Sequence, residues 1–102
     1  MELNRMRPVH PGEILRQDYL DPLGMSANRL AIELRVPVTR ISKILNQERA
    51  VTPDTALRLA RYFGGDAQTW LNLQAAYDIK TLVQKHGHEI EQTIRPMDEA
   101  AI

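Results

Sequence analysis

The sequence predicts an all-α domain of five helices built around a helix-turn-helix, and three observations predict it. Apolar spacing between Ala27 and Leu45 changes midway, so that two short helices are needed where one straight helix fails. Helix start and stop signals divide the rest of the chain into three further helical stretches. Basic residues also gather around the second helix of the pair.

The pair is justified first. Ala27, Leu30, Ala31 and Leu34 fall at i, i+3, i+4 and i+7, one face of a helix of period 3.6, and Ser26 stands before them as an N-cap. The pattern breaks at Arg35-Val36-Pro37, because Pro37 lacks the N–H a helix interior needs. A second helix restarts at Pro37 or Val38 and buries Ile41 and Ile44. Ala31 sits where one helix crosses the other, and Val36 and Ile41 fill the wedge beneath the turn. Such offsets describe the helix-turn-helix of DNA-binding proteins. Arg35 stands where these turns usually carry Gly, and a positive φ there costs roughly 1 kcal/mol.

Composition narrows the function. A chain of 102 residues is one domain with a modest core. No cysteine is present, which excludes disulfides and thiolate metal sites and leads us to expect a cytoplasmic protein. No apolar run reaches membrane-spanning length, and MELNRMRPVH has no apolar core of a signal peptide, so neither membrane nor export is expected. Formal net charge is zero, yet its distribution is uneven. Residues 35–49 hold Arg35, Arg40, Lys43 and Arg49 against the single acid Glu48, the footprint of a local phosphate-contacting face.

The other elements follow in order. Residues 1–9 lack periodicity and read as a flexible segment in which Arg5 and Arg7 are basic. Pro11, Gly12 and Glu13 open a first helix to about Leu20, with Ile14, Leu15 and Tyr19 on its buried side and His10 anchoring its start. Residues 21–25 read as a loop, anchored by Leu23 and Met25. Asn46 to Val51 is turn-like. Thr52-Pro53-Asp54 starts a fourth helix, which runs through Phe63 and stops at Gly64-Gly65. Asp66 caps a fifth helix to about Lys85. Trp70, Leu73 and Tyr77 read as partly core, and its apolar excess, Leu71, Ile79, Leu82 and Val83, is expected at a subunit or partner interface, a dimer above all. Residues 86–102 are expected to form a C-terminal tail, either a short helix or strand against a partner or a loose segment.

On the second helix of the pair Val38, Thr39, Arg40, Ser42 and Lys43 lie outside the buried stripe. Val38 and Thr39 suit a thymine methyl, while Arg40 or Lys43 suits guanine O6 and N7 or a phosphate. Ser26, Asn28, Arg35, Asn46 and Arg49 are the expected phosphate contacts. Catalysis finds no nucleophile and base at a telling spacing. His86-Gly87-His88 is read as polar tail rather than a metal site, and no cofactor is expected.

His10 to Leu15, the turn Val36-Pro37-Val38-Thr39-Arg40-Ile41, Thr52 to Ala60, Gly64 and Trp70-Leu71-Asn72-Leu73-Gln74 together resemble the HigA-type antitoxins of the Xre/Cro/C1 superfamily. The resemblance covers about residues 8–85. It implies a lambda-repressor-like domain of residues 10–85 and a homodimer on a palindromic operator ahead of its own operon. It also implies a HigB-type toxin partner, an mRNA-cleaving ribonuclease. Two other classes fit the same residues: a stand-alone Xre-family transcription regulator, and a protein-interaction module that no longer binds DNA.

Overall fold

A computed structural model describes residues 6–98, and among these the chain is helical with no strand. Arg5 and residues 99–102 of the expected tail lie outside the described residues. Five helices follow one another, and we number them α1 to α5. Helix α1 (residues 11–23) is continuous but has a wide middle: α-helical Pro11–Ile14, π-helical Leu15–Leu20 and α-helical Asp21–Leu23. Helices α2 (Ala27–Leu34) and α3 (Val38–Leu45) form the helix-turn-helix, followed by α4 (Pro53–Phe63) and α5 (Ala67–Thr93).

One core unites the first four helices with the start of α5. Leu15 and Leu20 of α1, Leu30, Ala31 and Leu34 of α2, Ile41, Ile44 and Leu45 of α3, Ala56 and Leu59 of α4 and Trp70 of α5 are all buried in it. Each fully buried Leu or Ile there contributes about 2 kcal/mol of transfer free energy. Tyr19 stacks at a tilt on Phe63 and Trp70, with ring centroids 4.7 and 5.5 Å apart, closing α1 over α4 and α5.

The first helix extends three residues past the expected Leu20, through Asp21 and Pro22. Proline is tolerated inside it because the preceding turn is wide: the Asp21 N–H bonds the Arg16 carbonyl five residues back, which relieves the crowding a proline ring imposes on a tight turn. The helix then stops at Gly24, φ 61°. Leu23, expected as a loop anchor, is exposed on the last turn, whereas Met25 packs against the core.

The last helix is longer than expected by eight residues, ending at Thr93 rather than near Lys85. The boundary placed after residue 85 therefore falls inside α5. Gly87 does not break the helix, because Glu89 and Gln92 are sound helix formers, and Pro96 ends the run by disfavouring helical backbone before it. Trp70 and Leu73 face the core, but beyond Tyr77 the helix projects from the body, giving overall extents of 57 × 25 × 21 Å.

Candidate nucleic-acid interface

Three helix ends position the candidate surface, and all are closed in the same way. In each, a residue of positive φ donates to the carbonyl three back and its successor to the carbonyl five back. For α2, Arg35 at φ 58° donates to Ile32 and Val36 to Ala31, at 3.2 and 3.0 Å. For α3, Gln47 at φ 62° donates to Ile44 and Glu48 to Lys43, at 3.0 and 2.8 Å. For α1, Gly24 donates to Asp21 and Met25 to Leu20, at 3.1 and 2.9 Å. Arg35 thus takes the left-handed conformation expected of it, and the turn to Pro37 is short enough to set α3 across α2.

Against that frame Ile41 and Ile44 are fully buried and the opposite edge of α3 faces outward. Val38, Thr39 and Lys43 are exposed there. Ser42 is half-buried, and its hydroxyl donates back to the Val38 carbonyl at 2.9 Å, so it is less free than expected for a base contact. Arg40 is half-buried as well. Its guanidinium pairs with Asp54 of α4 at 2.5 Å, and the same carboxylate oxygen takes Arg58 Nε at 3.0 Å. Arg58 in turn donates to the Leu34 carbonyl at the end of α2, at 2.9 Å. Arg40, read from the sequence as a free donor, is therefore part of a network linking α2, α3 and α4. The two arginines, Arg58 before Arg40, hold the Asp54 carboxyl below the usual carboxylate range.

The expected phosphate contacts surround this edge. Ser26, Asn28, Arg35, Asn46 and Arg49 are all exposed. Ser26 Oγ accepts the Arg29 N–H at 3.0 Å as the cap of α2, which leaves its O–H to donate outward. Arg7, one of the two arginines of the N-terminal segment, grips Glu13 through both guanidinium nitrogens at 3.0 and 2.8 Å.

Of the residues expected at a dimer interface, Ile79 and Leu82 are 61% and 53% exposed and Val83 is half-buried. Leu71 differs: it packs against the monomer core beside Trp70, because α5 only leaves the body after its first turns. His86 lies on α5 rather than in a tail, with Nδ1 3.6 Å from Glu89. Among the described residues no group of three or more His, Cys, Asp or Glu is placed to hold a metal ion. No helix described is long and apolar enough to cross a membrane.

Three residues of the site escaped sequence reasoning. Asp54 reads as a first-turn acid of α4, though Arg58 four residues on was a signal for pairing. Gln74 is a buried polar group that reaches the loop after α3, whereas His10, expected to anchor the first helix, does so by accepting the Gly12 N–H. Gly12 lies against the Ile44 carbonyl. Gln74 had one legible hint, its place one turn after Trp70 on the apolar face.

Fold and site together define a helix-turn-helix protein that presents a polar, basic edge of its second motif helix. A helix-turn-helix family model matches residues 17–70. Virulence-associated protein I of Dichelobacter nodosus is 58% identical over 81 residues, which cover 79% of this chain and 75% of that protein. An addiction module antidote protein of the HigA family from Coxiella burnetii superposes with a TM-score of 0.86 at 51% identity, over 90% of this chain and all of the other. Pseudomonas aeruginosa antitoxin HigA, solved with the higBA promoter, superposes at 0.88 with 40% identity, again over 90% of this chain and all of the other. The chain belongs to the HigA-type antitoxin family of helix-turn-helix proteins.

Proposed function

We propose that this chain is a DNA-binding antitoxin that represses its own operon as a dimer on a palindromic operator and neutralises a HigB-type ribonuclease. The observation that carries the DNA half is the outward edge of α3. Val38, Thr39 and Lys43 stand exposed on a helix whose other face is locked into the core, with five exposed phosphate-contact candidates around it. A helix so held can enter a major groove without reorganising, and the flanking groups set its register. The toxin half rests on membership of the family. The dimer rests on α5, whose exposed Ile79 and Leu82 can set two reading helices about 34 Å apart.

Arg40 has a defined part in this reading. Paired with Asp54, its guanidinium is preoriented at the edge of α3, and on DNA it exchanges a solvated carboxylate for a base or phosphate. Arg40→Ala is expected to cost about 1–3 kcal/mol of operator affinity while the folded state is kept, since Asp54 stays solvated and retains Arg58 as its partner. Mobility shifts on DNA upstream of the coding sequence, run beside thermal melts, check this. Binding to that DNA must also weaken steeply as salt rises; a protein whose binding ignores salt, or is absent, is an interaction module instead. Co-expression with the adjacent open reading frame, and purification through a tag on one chain, tests the toxin. Absence of a co-purifying nuclease favours a stand-alone regulator.

A further inference from the structure

The loop joining α3 to α4 carries Asn46 and Arg49, and two buried polar side chains hold it from outside the helix-turn-helix. Gln74 of α5 is only 7% exposed. Its Oε1 accepts the N–H of buried Val51 at 2.8 Å, and its Nε2 donates to Asp78 one turn further on, at 3.0 Å. His10, 3% exposed, accepts the Gly12 N–H on Nδ1 at 2.9 Å, and the Arg49 backbone lies near enough to the same ring to favour its protonated form. The edge of that ring meets Tyr77 of α5, centroids 4.8 Å apart. The hydrogen bond at Val51 and the His10 ring beside Arg49 thus lead to neighbouring positions of one helix: 74, 77 and 78.

Packing alone does not call for this arrangement. An apolar residue at 74 would fill the space without the desolvation cost of a buried amide. What the amide adds is a fixed loop backbone, since an unsatisfied Val51 N–H in a buried setting would pull the loop toward water.

We propose that Gln74, supported by His10, is a positioning residue for nucleic-acid binding: it fixes the backbone of the loop after α3 so that Asn46 and Arg49 meet phosphates. This rests on the DNA reading given above and adds the means by which α5 takes part in it. The recognition edge of α3 is held separately, by Ile41 and Ile44, so loss of the clamp affects phosphate contact and leaves base preference alone.

The test uses the full chain on the DNA upstream of its coding sequence. Gln74→Met keeps the volume and removes both hydrogen bonds. Its operator affinity is expected to fall about tenfold, and the slope of log affinity against log salt to flatten by about one to two phosphate contacts. Its ranking of operator point variants should stay as in the wild type, which a general loosening of the fold would not leave intact. The pair Gln74→Glu with Asp78→Asn reverses donor and acceptor between 74 and 78 and keeps an acceptor for Val51. It is expected to restore the wild-type slope. Wild-type affinity and slope in a cooperatively melting Gln74→Met variant overturn the proposal. Where Gln74→Met does not fold, the reversed pair decides: a folded reversed pair with a flattened slope overturns it, and a wild-type slope supports it. Failure of the wild type itself to bind with salt dependence sinks the DNA reading instead.

Discussion

Gly12 is where one atom decides the packing. A Cβ built on it would lie 1.9 Å from the Ile44 carbonyl oxygen, so α1 and the end of α3 touch backbone to backbone. The obstacle is main chain and cannot rotate away. Gly12→Ala is expected to cost about 3 kcal/mol, read as a lowered midpoint in urea. His10 beside it makes a pH-dependent contribution. Burial pushes its ring below the ordinary value of 6.5, against the opposing pulls of Asp78 and the Arg49 backbone. The folded chain therefore holds the ring neutral, while the unfolded chain takes up a proton near pH 6.5. Stability is full above that pH and falls as pH drops through it, levelling only below the lowered value of the folded ring. His10→Asn keeps a capping acceptor without the titration. Thermal melts between about pH 5 and 8 should show the decline in the wild type and lose that component in the variant.

At the scale of elements, the helix-turn-helix is closed by side chains that the backbone does not favour. Arg35 and Gln47 both sit at positive φ, a conformation that Gly adopts with least strain. Arg35→Gly relieves the strain of the turn and is expected to stabilise the fold by about 0.5–1 kcal/mol. The same change removes an exposed cation beside α3, so operator affinity should fall while the melting temperature rises. Opposite signs in the two measurements would separate its conformational cost from its part in binding; a loss in both would mean that its side chain packs against the fold. The π-helical turn of α1 shows another local adjustment. Asp21-Pro22 reads as a break, and the chain instead widens the turn before it and carries the helix on to Leu23.

At the scale of the whole molecule, α5 divides into a half that completes the core and a half that leaves it. Over its 27 residues it is about 40 Å long at 1.5 Å per residue. Ile79 and Leu82, one turn apart and exposed, form the apolar part of the projecting half. Ile79→Glu with Leu82→Glu is expected to leave the monomer folded, because neither side chain belongs to the core, and to shift the protein from dimer to monomer in sedimentation equilibrium. A variant that stays dimeric places the interface elsewhere.

Much of this was written locally. Ser26, Thr52 and Asp66 cap the helices they precede, accepting the N–H groups of Arg29, Thr55 and Gln68. The apolar spacing of 27–45 sufficed for the crossing of α2 and α3, since capping and periodicity act within a few residues and need no knowledge of the rest. Only the tertiary structure decided that Arg40 meets Asp54, that Leu71 packs against the core, and that Gln74 holds a loop far from it in sequence. These depend on which distant helices come to lie side by side. A polar side chain carries no mark of its partner until folding removes the water that would otherwise serve it.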